Sequence, residues 1–197
     1  MGLTATLCER IAAARYEDLP PETLAVARRL VQDGLAVGVA GVAEEQVIPI
    51  MAGVMRSLGG TPDATVIGCG MRTDPVRAAA LNGAAIHVLD FEPMWSPATH
   101  ALSVTLPVAL GLAESRGLSG REVLTALVKG IEIQGWLREA SGEYTFDTLK
   151  FHLPGLVGPM GAVAARRICC GWIRRAWPTL SASPRRAPAA CGAMSAP

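Results

Sequence analysis

The sequence is poor in aromatic and charged residues. Of its 197 residues, 5% are aromatic and 18% are charged, and the formal net charge is +1. A disordered chain would need low hydrophobicity, and a chain that coats nucleic acid would need a strong basic excess, so both classes are excluded. Half of the residues are hydrophobic. Because so few of these are aromatic, the core has to be built from Ala, Leu, Val and Ile.

Cysteine pairs with metal-ligand spacing and long apolar runs are also missing. The five cysteines include no C-x-x-C pair, which leaves zinc ribbons and cysteine-ligated iron–sulfur clusters without support. An odd count without regular spacing is typical of free thiols in a reducing compartment, so we expect a cytoplasmic protein. The longest apolar run, residues 34–43, is too short and too rich in glycine to span a bilayer, and the N-terminus lacks the shape of a signal peptide. We therefore expect no membrane partner.

Helical periodicity dominates the first 165 residues. Apolar residues recur at i, i+3 and i+4 spacing in segments that begin near Pro21, Glu44 and Ser119. Residues 64–67 form one short strand pattern, and no alternation of strands and helices follows it. The sequence therefore predicts an all-α, helical bundle-like domain of six or seven helices with one short strand.

One predicted helix consists almost entirely of small residues. Asp74-Pro75 combines an N-cap residue with a proline at the first helical position, and the helix runs to about Leu89. Small side chains on all faces imply close contact with other helices on several sides. We therefore expect this helix to be central.

The last 32 residues have a different composition. Residues 166–197 contain six arginines and no acidic residue, together with three of the five cysteines. When the tail is read one nucleotide out of frame with GC-rich codons, it gives an amphipathic helix pair rich in small residues. We therefore interpret residues 166–197 as an aberrant basic tail, frameshifted and disordered, after a partial helical domain at 3–165. A basic arm that binds nucleic acid is the alternative, but it leaves the Pro and Cys residues unexplained.

The candidate chemistry lies around three histidines, His87, His100 and His152. Asp90 follows His87 by three residues, so the two can share a face at a helix end. We expect Asp90, His100 and His152 to converge on a small polar substrate, with one group as base and another as acid or cation. A capping or core role for His87 stays open. So does a metal site formed by His87, Asp90, Glu92 and His100, although it lacks a spacing such as H-E-x-x-H.

The order of motifs resembles the MmgE/PrpD family. Residues 80–91, ALNGAAIHVLDF, are similar to that family's signature N-G-x-x-x-H-x-x-D-F-D-D. Residues 15–22 and 64–68 also match its opening segments, and 97–100 and 151–152 match its later ones. The resemblance covers roughly residues 3–165.

The resemblance implies both an activity and an assembly. The family includes 2-methylcitrate dehydratase, cis-aconitate decarboxylase and iminodisuccinate epimerase, which act on small polycarboxylates without a metal or an organic cofactor. It implies a large helical domain, a homodimer, and proton transfer at a carbon alpha to a carboxylate, followed by loss of hydroxide or CO2.

The family's site residues carry over only in part. Asp90, His100 and His152 match its catalytic Asp and two His. We expect His87, Glu92, Met94 and Thr99 to contact the substrate, and no metal to be bound. Several positions depart from the pattern: the second and third acids of D-F-D-D are Glu92 and Pro93, the following Thr is Met94, and the His four residues before His100 is Ser96. A hydroxyl donor has thus become a thioether, which puts the usual substrate in doubt.

Length is the larger departure. Members of the family are more than twice as long, and the lysine, later histidine and tyrosine of their sites lie beyond the position of residue 165. We therefore expect a truncated lyase, inactive alone, with exposed apolar surface. The alternative is a non-catalytic helical module that dimerises or binds a partner.

Overall fold

A computed structural model of the chain describes residues 3–96, 98–142 and 152–170. The fold of these residues is mostly helical, which confirms the predicted all-α class. In chain order the elements are α1 (Leu3–Ala13), a 3-10 turn (Tyr16–Asp18), α2 (Pro21–Glu44), α3 (Val47–Ser57), β1 (Ala64–Val66), β2 (Met71–Thr73), α4 (Pro75–His87), α5 (Ala101–Arg116), α6 (Gly120–Ala140) and α7 (Leu153–Cys170).

The predicted strand is present, and it has a partner that the sequence did not reveal. β1 and β2 pair antiparallel, with Ala64 opposite Thr73. The Arg72 side chain secures this hairpin by donating to the carbonyl of Pro62 at 2.9 Å and to the hydroxyl of Thr65 at 2.8 Å. A three-residue strand held by a side chain has too little apolar alternation to be recognised from sequence.

A sharp bend separates α2 from α3. The two helices meet at 92°, and Pro49 lies in the first turn of α3, where a missing N–H costs little. None of the described helices is by itself long and apolar enough to cross a bilayer, although this bent pair satisfies length and composition together.

The small-residue helix α4 is central, as predicted. It packs against α2, α3, α5 and both strands, and it buries Ala78, Leu81, Ala85 and Ile86 completely or nearly so. The approach of α2 is so close that a Cβ at Gly41 would overlap the carbonyl oxygen of Ala85. The crossing of α2 and α4 is therefore a backbone contact that only glycine permits.

The second half of the domain is a three-helix unit of α5, α6 and α7. α6 begins at the predicted capping box, in which the Glu122 carboxylate accepts from the Ser119 backbone N–H at 2.8 Å. Those hydrogen bonds from Ser119 hold the pKa of Glu122 below its usual value. A Cβ at Gly130 would overlap the side chain of Thr105 and approach the carbonyl of Gly161, so all three helices touch at this point.

Helix directions bring four helix ends together. Gly111 of α5 lies against Pro75 and Gly83 of α4 lies against Ser103, so α4 and α5 run antiparallel. Gly158 of α7 lies against Val104, near the start of α5, while Gly161 packs on Gly130 in the middle of α6. The end of α4, the start of α5, the end of α6 and the start of α7 therefore share one end of the bundle.

The predicted domain boundary falls inside a helix. α7 continues to Cys170, beyond the boundary at residue 165. The rest of the predicted disordered tail, residues 171–197, lies outside the described residues.

Candidate active site

The segment that joins α4 to α5, residues 88–100, forms the candidate site. α4 is started by Asp74, whose carboxylate accepts from the backbone N–H of Val76 and of Arg77 at 3.1 Å each, and it ends at His87. Asp90 then adopts a left-handed backbone with φ of 58°, a conformation that Asp tolerates better than most residues. Farther along, the Trp95 N–H donates to the Thr99 carbonyl at 3.1 Å and turns the chain back toward α5.

Two residues near the end of α6 hold this loop in place. Arg138 is buried, and its Nε donates to the carbonyl of Ala98 at 3.1 Å. The indole of Trp95 lies on Gly135 so closely that a Cβ there would overlap the ring. Sequence reasoning missed both contacts, because an arginine in the last turn of an amphipathic helix is indistinguishable from a solvated one.

Glu92 is the centre of the polar cluster. Its side chain is fully buried, and its Oε2 accepts from the backbone N–H of Ser103, the third residue of α5, at 2.6 Å. A carboxylate is favoured at this helix N-terminus by unpaired N–H groups and by the helix dipole. Its Oε1 lies 2.8 Å from Nδ1 of His87 and 3.2 Å from Nδ1 of His100.

The two histidine rings meet edge to face, with centroids 4.5 Å apart and planes at 73°. Nδ1 of His100 lies 3.2 Å from Oε1 of Glu92, which is within ion-pair distance. It makes no hydrogen bond with Glu92 or with any other described residue. On the other side of the ring, Nε2 of His100 lies 3.4 Å from Oδ1 of Asp90. The Asp90 side chain is 73% exposed and that of His100 is 14% exposed, so this pair faces the outside of the cluster.

The structure thus brings together four of the predicted site residues and places three elsewhere. His152 is exposed directly before α7, at the same end of the bundle, and makes no hydrogen bond or ion pair with the cluster in the described residues. Thr99 is fully buried, and its hydroxyl has no hydrogen-bond partner within residues 3–96, 98–142 and 152–170. The roles predicted for His152 and Thr99 stay predictions.

Met94 lies beside an apolar cavity of about 200 Å³. Trp95 and Pro93 line it from the loop, and residues of α2, α5 and α6 line the rest. Glu132 of α6 is at its edge. Burial raises the pKa of Glu132, and repulsion from Glu139 adds to this, while a hydrogen bond from Trp136 opposes both.

The cluster also meets the distance requirements of a small cation site. One ligand atom from each of His87, Glu92 and His100 lies within 4.8 Å of the others, and two histidines with one carboxylate are a donor set that divalent iron and zinc accept. Asp90, the fourth residue of the metal alternative, does not belong to this group. The 2.8 Å separation of His87 and Glu92 equally suits a hydrogen bond.

The arrangement is suited to moving a proton. An exposed carboxylate, Asp90, faces a mostly buried imidazole, His100, and a buried carboxylate, Glu92, lies behind that imidazole. A base of this kind acts on a substrate proton within hydrogen-bond reach, and such contacts are often long before substrate binds. The geometry therefore supports general acid–base chemistry at His100 and Asp90.

Comparison of the sequence with known proteins identifies the family to which it belongs. The model of the MmgE/PrpD N-terminal domain matches residues 5–169. Human cis-aconitate decarboxylase is 33% identical over 169 residues, which cover 83% of this chain and 35% of that protein. The mouse protein of that name is 32% identical with nearly the same coverage, and the cis-aconitate decarboxylase of Aspergillus terreus is 28% identical over 176 residues. The chain spans about a third of the length of these relatives. Because the family model matches most of the sequence, the chain belongs to the MmgE/PrpD family.

Proposed function

We propose that this chain supplies the N-terminal part of the active site of a lyase that acts on a small polycarboxylate, with cis-aconitate decarboxylation as the first reaction to test. The observation that carries the proposal is the pairing of His100 Nε2 with Asp90 Oδ1 at 3.4 Å, backed by the buried Glu92. The names of the relatives support the substrate class. The proposal includes a homodimer in the cytoplasm and chemistry that needs no metal or organic cofactor.

The chemical step follows from what the pair can do. When CO2 leaves a polycarboxylate, the electron pair of the broken C–C bond stays on the substrate, which must then take up a proton at carbon. A proton located between Nε2 of His100 and Oδ1 of Asp90, which lie 3.4 Å apart, would be in position for this transfer. In the dehydratase alternative the same pair removes a proton alpha to a carboxylate, and hydroxide then leaves.

Neighbouring groups stabilise the negative charge of such a substrate. A helix N-terminus favours anions, and that of α5 lies at this end of the bundle, where its Ser103 N–H is already bound by Glu92. The side chain of His87 is 47% exposed, so it can contact a second carboxylate. Met94 offers a thioether where the family signature has a hydroxyl, so we expect the preferred substrate to carry an apolar group at that position.

The chain spans about a third of the length of these relatives, and the family resemblance places further site residues beyond the position of residue 165. Loss of one charge-stabilising donor costs about 10² to 10³ in rate, and the region beyond α7 in longer relatives has no counterpart among the described residues. We therefore propose that this chain by itself binds a polycarboxylate but turns it over little or not at all.

Nuclear magnetic resonance titration tests the binding part. The purified chain is titrated with cis-aconitate, and with acetate as the single-carboxylate control. We expect a saturable shift of the His87 and His100 ring signals with cis-aconitate and a much weaker response to acetate. A response confined to residues away from the 88–100 loop would contradict the proposal.

The Asp90→Asn variant provides the matched control for turnover. Asn keeps the size and the tolerance for a left-handed backbone but removes the carboxylate. Both proteins are incubated with cis-aconitate and 2-methylcitrate while CO2 release and loss of substrate are followed. We expect turnover near zero in both proteins. Equal and clearly measurable rates in the two proteins would remove Asp90 from the mechanism. Substantial Asp90-dependent turnover would overturn the claim that the site is partial.

A second function, a non-catalytic dimerisation module, is favoured by α3. Val47, Ile50, Val54 and Leu58 lie along one stripe of this helix and its C-cap, and each side chain is 45–64% exposed. We expect a second copy to cover this stripe. Light scattering would show a dimer that Ile50→Glu converts to monomer, whereas a stable monomer in the unchanged chain would count against the module.

A further inference from the structure

We propose that Glu92 is a positioning residue, which holds both His87 and His100 in the tautomer protonated on Nδ1 and thereby directs Nε2 of His100 toward Asp90. The inference deepens the proposed function and rests on it for its catalytic meaning. The family resemblance predicted substrate contact for Glu92, whereas here it acts through the two imidazoles.

The first step concerns the two carboxylate oxygens of Glu92, which have different partners. Oε2 accepts from the Ser103 N–H at 2.6 Å, and this backbone donor at the start of α5 needs an acceptor because it has no intrahelical one. Rotation of the side chain away from Ser103 would break this buried hydrogen bond. Oε1 remains for the Nδ1 atoms of His87 and His100, at 2.8 and 3.2 Å.

The second step concerns the proton on each ring. An ionised carboxylate only accepts hydrogen bonds, and a neutral imidazole carries its single N–H on one of its two nitrogens. His87 Nδ1, which makes the 2.8 Å hydrogen bond, is therefore expected to carry the proton. His100 Nδ1 makes no hydrogen bond with Glu92, but it lies 3.2 Å from the same charged oxygen. An N–H facing that oxygen is attracted to it whereas a lone pair is repelled, so we expect His100 Nδ1 to carry the proton as well. The partner of one ring nitrogen decides the state of the other.

The third step concerns the outward nitrogen of His100. If Nδ1 carries the proton of the neutral ring, Nε2 has a lone pair and lies 3.4 Å from an Asp90 oxygen that also has lone pairs. Two acceptors at this separation attract each other only when a proton lies between them. Glu92 therefore makes the space between His100 and Asp90 the place where a proton is taken up and released.

Burial makes Glu92 effective in this role. Its side chain is fully covered, whereas that of Asp90 is 73% exposed. Attraction between an N–H and a carboxylate is stronger where water is excluded, so Glu92 acts on both rings, by a hydrogen bond to His87 and by charge on His100, while Asp90 remains accessible to substrate. Two carboxylates on opposite sides of one imidazole thus have separate tasks.

The test measures the tautomers directly and needs no turnover. In the unchanged chain, ¹⁵N chemical shifts of the ring nitrogens are recorded at a pH where the shifts themselves show neutral rings. We expect His87 and His100 to be protonated on Nδ1, with the exposed His152 as an internal comparison that is not held in that form. Protonation of either His87 or His100 on Nε2 would overturn the proposal.

Two substitutions sharpen the test. In Glu92→Gln the amide oxygen is expected to take the place of Oε2 at the Ser103 N–H, so that the NH₂ group faces the histidines and switches them to the Nε2-protonated tautomer. Glu92→Asp keeps a carboxylate, so we expect it to retain Nδ1 protonation. Unchanged tautomers in a folded Glu92→Gln variant would overturn the proposal, and the measurement on the unchanged chain decides the matter if that variant does not fold.

Zinc chloride provides the last arm, because the same three residues satisfy the distances of a cation site. The chelator-treated chain is titrated with zinc while the ring signals are followed. We expect only weak, unsaturated shifts. Stoichiometric binding at His87, Glu92 and His100 would mean that a metal, rather than protons, joins them and would overturn the proposal. A failed cis-aconitate titration leaves all of these readouts intact, so the two proposals fail separately.

Discussion

The helical scaffold and the loop at residues 88–100 differ in what they bury. In the scaffold, buried contacts are mostly between small apolar side chains such as Ala78, Ala85 and Ala109. In the loop, a non-glycine residue has a positive φ, and Trp95 Nε1, Thr99 Oγ1 and His100 Nδ1 are buried without a hydrogen bond. These are three of six such side-chain atoms in the part of the chain that the structure describes.

This difference indicates that the scaffold determines the stability of the fold and that the loop carries its chemistry. Unpaired buried groups and left-handed non-glycine residues cost free energy, and proteins retain them mainly where function needs them. The packing of the scaffold therefore has to offset the free-energy cost of the unpaired groups and of the left-handed backbone in the loop. Substitutions in the scaffold should change the free energy of unfolding, whereas substitutions in the loop should change binding with little effect on stability.

The largest expected effect is at the crossing of α2 and α4. Gly41→Ala introduces a methyl group into the space of the Ala85 carbonyl and the Val88 side chain. Because backbone cannot move aside cheaply, we expect a loss of about 3 kcal/mol in the free energy of unfolding, the upper part of the usual range for overpacking. Urea unfolding followed by circular dichroism measures this.

Gly53→Ala is the matched control for that substitution. Gly53 is also inside a helix, but a Cβ there meets nothing within 4 Å. Alanine should therefore stabilise α3 by about 0.5–1 kcal/mol through its higher helix propensity. If both variants lose stability equally, close approach at Gly41 is not the reason that the scaffold needs glycine.

A smaller effect, dependent on pH, is expected at the start of α4. Burial of the Asp74 carboxyl raises its pKa, but hydrogen bonds from Arg77 and from the Val76 backbone outweigh burial, and the pKa is lowered overall. A lowered carboxyl pKa stabilises the folded state above the unfolded pKa of about 4 and loses that effect as pH falls through the folded pKa. Asp74→Asn keeps an oxygen that can cap the helix but removes the negative charge. We therefore expect the free energy of unfolding of this variant to be lower by about 1 kcal/mol at pH 7.

The same pair of proteins is then compared in acid. The difference in stability between the unchanged chain and Asp74→Asn should shrink toward zero below the folded pKa of Asp74. A difference that stays constant from pH 7 to acid would assign the effect to lost packing or capping geometry rather than to charge.

The smallest effect on stability is expected in the loop itself. Thr99→Val replaces a buried hydroxyl that has no partner in the described residues with a methyl group of similar size. Since no hydrogen bond is lost, the free energy of unfolding should change by less than about 0.5 kcal/mol or rise slightly. Weaker binding of cis-aconitate by a variant of unchanged stability would support the predicted role of Thr99 in substrate contact. A large loss of stability would mean that the hydroxyl is part of the scaffold.

Much of the fold was predictable because its signals are local. The N-cap at Asp74, the capping box at Ser119 and the apolar spacing along α2 each determine a helix through neighbouring residues, and all three were confirmed. β2 was missed because side-chain bonds of Arg72 hold it. The domain boundary predicted at residue 165 lies within α7, because the arginines at 166 and 167 change the composition without ending the helix.

The candidate site was predictable in its members but not in their partners. Resemblance identified His87, Asp90, Glu92 and His100, yet no pattern indicates that Glu92 is the buried centre with Ser103 behind it. That contact depends on how the loop returns over the start of α5. The contacts of Arg138 and Gly135 join segments about 40 residues apart in the chain, so they follow only from the packing of α6.

Trp95 gives the loop its own optical reporter. Its indole packs directly against Gly135 of α6, so lifting of the loop would carry the ring from the helix surface into water. Its emission would then move to longer wavelength. In a variant with the other three tryptophans replaced by phenylalanine, one fluorescence trace would follow opening and closing in real time, without any substrate being consumed.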